Sequence, residues 1–460
     1  MLVTIQWMRE KYNYYNDLLF EGNLPSINFY INNSRKTWGY ATYRFDLYND
    51  RVWAVSITMS NKFDSPEKVK IATLIHEMIH IADKHNCCGC SACASVCPRG
   101  CISMKADSEG FLYPEADAQA CIDCGLCEKV CNELHPFTRS EPLKVLAAVN
   151  RDEAVRMKSS SGGLFHLLAQ RTIEEGGVVF GARFDSDWQV LIDYADTMEG
   201  VKAFMGSKYV QARIADSYKD TRRFLSEGRK VLFSGTPCQI AGLHKFLRRE
   251  YANLLTVDFV CHGIPSPKVW GLYLEEKRKG GKVIRDVVFR DKSCSWKDYN
   301  ISFTLDDGNS LRTERTEYWK DLYMKAFVGD VTLRPSCYAC KAKDCSSRSD
   351  LTLADFWGIR TIFPEMDDDK GTSLLIIHSA KGEDALDYSR FDCKETSYGL
   401  LRPLNPSCFQ PSAEPAKREW FFANLEKKRV SKLLSKSMRP KFVQRLRRLA
   451  PGVYHRIKKF

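Results

Sequence analysis

No stretch of this 460-residue sequence approaches the ~18 consecutive apolar residues that a membrane-spanning helix needs. Its opening, MLVTIQWMREKYNYYND, has no basic segment leading into an apolar run and a small-residue cleavage site, so it is not read as a secretory signal and a cytoplasmic protein is expected. The glycine fingerprint GxGxxG of a Rossmann dinucleotide site is also missing. Net charge is nearly absent from most of the chain. Residues Ala413–Phe460 carry 15 Lys plus Arg against 3 Glu, which equals the whole net charge of +12. The neutral remainder argues against nucleic-acid binding, which usually asks for basic residues on the folded face. What remains is an ordinary soluble composition, 44% hydrophobic, long enough for about three domains at ~150 residues each.

Cysteine is the exception. Eighteen are present and ten fall between residues 87 and 131. Disulfide scaffolds are usually small secreted domains, so metal or cluster ligation fits better. The first run is Cys87-x2-Cys90-x2-Cys93-x3-Cys97-Pro98, and the second is Cys121-x2-Cys124-x2-Cys127-x3-Cys131. Two-residue gaps let three thiolates of one tight loop reach three corners of a cubane, while the fourth cysteine serves the other cluster, as in bacterial two-cluster ferredoxins. One 4Fe-4S cluster would then use Cys87, Cys90, Cys93 and Cys131, and the other Cys121, Cys124, Cys127 and Cys97. A zinc site is the alternative, but zinc takes four thiolates and the doubled run offers eight. Asn132 stands where a second proline would be, and proline is no ligand. Cys88 and Cys101 fall outside the spacing and are read as non-ligands.

The fold class expected is α+β and α/β multidomain: a two-cluster ferredoxin segment over residues 81–138, then an α/β domain with a largely parallel sheet over 144–410. KVLAAVN, VVFGARF, KVLFSG and LLTVDFV read as strands, separated by turns and helical patterns with proline or serine at helix starts. SSSGG (Ser159, Ser160, Ser161, Gly162 and Gly163) sits between a strand and a helix N-terminus. Bare amides there could cradle a phosphate, or serine simply caps the helix and glycine permits the turn. Cys238 and Cys261 each follow an apolar strand, at the sheet edge where sites usually form. With Cys337 and Cys340 they make a third 4Fe-4S site, with Cys345 as substitute ligand; the competing reading is buried cysteine acting as a small hydrophobe.

The segments DKHNCCGCSACASVCP, SSSGG, GTPCQIAGL, VDFVCHGIPSP, SCSWKDYNISF and RPSCYAC…DLTLADFWGI resemble the beta subunits of coenzyme F-420 hydrogenase and dehydrogenase, a family that also includes a ferredoxin-dependent chlorophyll reductase. The resemblance covers roughly residues 80–410. It implies an iron–sulfur flavoprotein with FAD that passes electrons between clusters and flavin, and on to a deazaflavin or another two-electron acceptor. A flavin is the natural converter between one-electron clusters and two-electron hydride chemistry. It also implies flavin or substrate contact at SSSGG. The expected partners are a redox protein and a small-molecule redox substrate. A pure electron-carrier module docking to a larger partner is the rival reading.

Two ends stand apart. His76-Glu77-x2-His80 is an HExxH motif on a helical stretch, whose histidines share a face and can bind zinc. With WGYATYRF, residues 1–80 resemble a SprT-like zinc metallopeptidase fold. That family takes a third histidine further on, whereas here the cysteine segment begins at once, so a truncated, inactive domain is expected and a zinc peptidase with a redox appendage is the remaining alternative. At the other end, residues 413–460 interleave basic residues with Trp420, Phe421, Phe422, Leu433, Leu434, Leu446 and Leu449. This reads as an interfacial tail for an anionic membrane surface or an acidic partner.

Overall fold

The computed structural model describes residues 3–20, 27–32, 39–45, 52–60, 86–117 and 119–438. The helix Ile5–Phe20 packs on a small sheet of β1 (Ile27–Asn32), β2 (Gly39–Phe45) and β3 (Val52–Ser60). β3 is central, parallel to β1 and antiparallel to β2. Met8 and Tyr12, four apart and so on one helical face, are buried against Phe29, Ile57 and Met59. The HExxH residues His76 and His80, and with them the zinc site, lie outside the described residues.

The cysteine segment contributes a hairpin, β4 (Ile102–Ala106) and β5 (Leu112–Ala116), between two short helices, Ala92–Val96 and Leu126–Lys129. The α/β domain follows. Its strands β6 (Lys144–Asn150), β7 (Val178–Phe184), β8 (Val190–Ala195), β9 (Val231–Gly235), β10 (Leu254–Phe259), β14 (Leu351–Asp355), β15 (Ser373–Ile377) and β16 (Phe391–Thr396) form one sheet in the order β16-β6-β15-β14-β10-β9-β7-β8. β14, β10, β9 and β7 are mutually parallel, and β6, reached through antiparallel β15, shares their direction. Five of the eight strands thus end at one edge. A second, antiparallel sheet of β11 (Val283–Asp291), β12 (Asn300–Asp306) and β13 (Leu311–Glu317) is inserted before β14.

Both faces of the large sheet are covered, which is why its strands read as continuous apolar runs. Alternation along β7 sends Val178 and Phe180 to a core shared with the helix Pro237–Leu247, and Val179 to a core under the helix Leu164–Glu174. The first of these cores also takes in Ala92, Val96 and Val130, so the cysteine segment is packed onto the domain by apolar contact.

The end of the chain corrects one expectation. Phe421, Leu433 and Leu434 do not form an interfacial face: they are buried with Trp270, Tyr323 and Phe327 in the core under the inserted sheet. The helices Arg418–Ala423 and Val430–Ser437 also clamp the β4–β5 turn. The buried Arg418 pairs with Glu109, and Lys268 joins Ser108 O at 2.9 Å to Glu426 at 2.6 Å. Apolar residues at helical spacing serve a core as readily as a membrane; periodicity cannot tell which. Leu446 and Leu449 lie outside the described residues.

Candidate iron–sulfur and cofactor site

The two cysteine loops are built alike. Gly89 and Ser91 lie two and four residues after Cys87, with φ of 71° and 62°; Asp123 and Gly125 hold the same positions after Cys121, with φ of 53° and 65°. Two left-handed residues in one short loop coil the chain so that its thiols converge. Each loop gives an amide to its first sulfur, Gly89 N to Cys87 Sγ and Asp123 N to Cys121 Sγ, both at 3.4 Å. Backbone donors of this kind stabilise a charged sulfur. Burial pushes the Cys93 thiol up to about 12, with Cys87 and Cys131 adding to it as neighbours. Cys90 is flanked by Cys93 and Cys131. Cys131 therefore faces the first run. In the other group Cys101 Sγ lies 3.3 Å from Cys97 Sγ, with Cys121 beside it, and Cys121 also neighbours Cys127. Cys121 and Cys124 are exposed.

A third set of thiols lies at the edge where the parallel strands end. Cys238 stands in the first turn of the helix Pro237–Leu247, which Thr236 and Gln239 cap reciprocally. Cys261 follows β10, and Cys337 and Cys340 flank a 3-10 turn over Pro335–Ala339. Cys261, Cys337 and Cys340 all pack against a small core of Cys238, Ile264 and Ala342. Ile264 N donates to Cys337 Sγ at 3.3 Å. Burial pushes Cys261 up to about 12 and Cys340 to about 11; Cys238 adds to both, and Lys343 opposes it. Cys345 is elsewhere, hydrogen-bonded to Tyr398. Among the described residues no three His, Cys, Asp or Glu side chains converge around a single metal ion. A cubane asks for something different, four thiols spread over the corners of a cluster, and three sets of that composition are present.

The seam between the loops and the domain is closely packed and specific. Arg334, fully buried, donates to Cys87 O at 2.6 Å and Leu112 O at 3.0 Å, with its guanidinium 4.1 Å from the Tyr113 ring centroid. Gly242, on the helix that begins beside Cys238, leaves room for Cys90: a Cβ there would lie 3.0 Å from Cys90 Sγ.

Around SSSGG the loop is tied to the sheet. Gly162 N donates to Ser373 Oγ at 2.9 Å and Ser161 Oγ to Thr372 O at 3.0 Å, while a Cβ on Gly162 would meet Ala148 O at 2.5 Å. Gly163, with φ of 84°, precedes the helix Leu164–Glu174. Ser160 Oγ accepts from Ser207 N at 2.8 Å. Next to Ser207, burial pulls the Lys208 amine down to about 7. Lys292 Nζ donates to Arg156 O, Ser161 O and Lys370 O, and burial pulls it down to about 8, helped by Arg290 and Arg156. Arg290 pairs with Asp355 at 2.6 Å and lies over Tyr299 and Trp357, and Trp357 stacks on Trp296 at 5.1 Å. A strip of cations and flat rings thus runs along the strand-end edge from Ser160 to Trp357. A separate cavity of about 570 Å³ lies between the helix Leu164–Glu174 and residues 385–391, and it is lined by no cysteine.

Residues 228–395 match the family described as the C terminus of the coenzyme F420 hydrogenase/dehydrogenase beta subunit, and residues 86–133 match the 4Fe-4S dicluster domain. The chain belongs to the family of coenzyme F420 hydrogenase/dehydrogenase beta subunits. Over 190 residues it is 24% identical to the F-type subunit of the F(420)H(2) dehydrogenase of Methanosarcina mazei, covering 38% of this chain and 53% of that one. Over 73 residues it is 32% identical to an uncharacterized ferredoxin of Methanocaldococcus jannaschii, covering 16% of this chain and 87% of that one. The chain spans about half the length of the dehydrogenase relative. A chain of the F420-reducing [NiFe] hydrogenase complex from Methanosarcina barkeri aligns with a TM-score of 0.41 and 20% identity, over 58% of this chain and 89% of that one.

The dicluster match contains all eight motif cysteines, and the hydrogenase/dehydrogenase match contains Cys238, Cys261, Cys337 and Cys340. The 4Fe-4S chemistry and the electron-transfer role of the family therefore rest on both sequence and comparison. SSSGG lies outside both matched ranges. Reading the sequence missed Cys88, Lys208, Arg290, Lys292 and Arg334. The only signal for the ring stack lay in the segments SCSWKDYNISF and DLTLADFWGI, which hold Trp296, Asp355 and Trp357 without saying that they meet.

Proposed function

We propose that this chain is an iron–sulfur flavoprotein that moves electrons along three 4Fe-4S clusters to an FAD at the strand-end edge, in exchange with a deazaflavin or another two-electron substrate. The observation that carries this reading is the convergence of Cys238, Cys261, Cys337 and Cys340 directly behind the first ferredoxin loop. Flavin supplies the exchange between one-electron and two-electron chemistry. The chain's own residues suit such a group. Ser160, Ser207 and Lys208 offer hydroxyls and a cation for phosphates, Arg290 offers a buried positive charge, and the half-exposed Trp357 offers a flat face. At the other end, the exposure of Cys121, Cys124 and Ile122 supports docking of a redox protein against the outer loop.

The test is iron and flavin content of the full chain prepared anaerobically. Three cubanes give about twelve irons per chain and two give about eight. Cys340→Ser should lose about four irons and Cys345→Ser none. Added FAD should bind, with quenched fluorescence, and Arg290→Ala should weaken that binding. Equal iron in wild type and Cys340→Ser would make the third set packing residues, and folded protein that never takes up FAD would leave a carrier module.

A further inference from the structure

The position of Cys88 goes beyond its exclusion from the ferredoxin spacing. Between the ligands Cys87 and Cys90, its side chain turns away from the first loop and packs against the small core of Cys238, Ile264 and Ala342, together with Cys261, Cys337 and Cys340. It hydrogen-bonds both Cys238 and Cys90. The contact is held from both sides. Arg334 fixes the carbonyl of Cys87 on one side of it, and Gly242 lets the helix carrying Cys238 close to 3.0 Å, measured from its would-be Cβ to Cys90 Sγ, on the other. Arg334 N also donates to Ile264 O, which ties the same side chain to the third thiol set.

We propose that Cys88 is a positioning residue bridging the first ferredoxin cluster and the third, and that it sets the potential of one of them through its S–H. The proposal rests on reading the third thiol set as a cluster site. Once Cys90 and Cys238 are bound as thiolates, neither keeps a proton, and the S–H of Cys88 is the one donor left in the row Cys238–Cys88–Cys90. It is donated to one of the two ligand sulfurs while the Cys88 sulfur touches the other. A hydrogen bond to a cluster sulfur stabilises the extra negative charge of the reduced state and raises the potential. One electron crosses from one cluster to the next along this row; no bond is made or broken, and the proton stays on Cys88. The order of transfer follows: outer loop, first loop, third set.

The experiment compares full-length wild type, Cys88→Ala and Cys88→Ser, all prepared anaerobically, by iron content and by redox titration followed by electron paramagnetic resonance. The expected result is unchanged iron in both variants, a lower midpoint potential for one cluster in Cys88→Ala, and recovery toward wild type in Cys88→Ser, whose hydroxyl donates in the same place. Unchanged potentials in Cys88→Ala overturn the bridge. Loss of about four irons in Cys88→Ala overturns it too, by making Cys88 a ligand. If wild type itself holds only about eight irons, the third cluster is wrong rather than the role of Cys88 within it, and the two failures are told apart before any variant is made.

Discussion

Arg334→Met should loosen the cysteine segment from the α/β domain without unfolding either. Arg334 is fully buried and its guanidinium donates to two backbone carbonyls of the segment, Cys87 O and Leu112 O. Hydrogen bonds from a charged donor contribute about 1.5–3 kcal/mol each, so the pair gives roughly 3–6 kcal/mol. Methionine keeps apolar volume in the gap, and the variant no longer bears the desolvation of a buried guanidinium, so the lower end applies, about 3 kcal/mol. At 1.4 kcal/mol per factor of ten, that is roughly a hundredfold in the undocked population. The linker from 138 to 141 is exposed and is the place where a protease would cut. Cleavage that reports the open population should accelerate by about the same factor. Arg334→Lys should fall between, since an ammonium cannot reproduce the fork. Equal cleavage rates for wild type and Arg334→Met, with both fully folded, would refute the claim that this side chain holds the seam.

Two further outcomes follow from packing and burial. Gly242→Ala places a Cβ 2.9 Å from both Cys90 Cβ and Tyr218 Oη, so it should destabilise by about 1–3 kcal/mol and lower the iron held by the first loop, whereas Gly399→Ala, which meets nothing, should do neither; urea unfolding and iron content report both. Burial pulls His378 down to about 4 from the ordinary 6.5. The unfolded chain therefore takes up this proton from pH 6.5 downward while the folded site refuses it until about 4, so about 3 kcal/mol of stability present above pH 6.5 is lost as the pH falls through that window. His378→Gln should flatten the slope between those values, and an unchanged slope would assign it to other groups.

The cysteine loops were the most legible part of the chain because ligand spacing is a local property. The doubled interval places Gly89 and Asp123, and likewise Ser91 and Gly125, at matching left-handed positions, and no distant residue is needed to decide that. The strands β6, β7, β9 and β10 were legible for a related reason: a sheet covered on both faces writes continuous apolar runs into the sequence. The third thiol set was half legible. Cys238 and Cys261 follow from strand ends, but Cys337 and Cys340 join them only because the inserted sheet and helix return the chain to the same edge.

Tertiary structure decided the rest. The apolar residues of 413–438 have the same helical spacing whether they face a membrane or a core, and burial under the inserted sheet chose the core. Cys88 was excluded as a ligand by its spacing, but its role depends on which helix closes over it, and that is set by Gly242 and Arg334, more than 150 and 240 residues further along the chain. Arg290, Asp355 and Trp357 form a site only through strand order. The sequence by itself determined which residues can bind iron, because three thiolates of each cubane come from one short loop; only the folded sheet determined where electrons can go next, because that depends on side chains that no local spacing brings together.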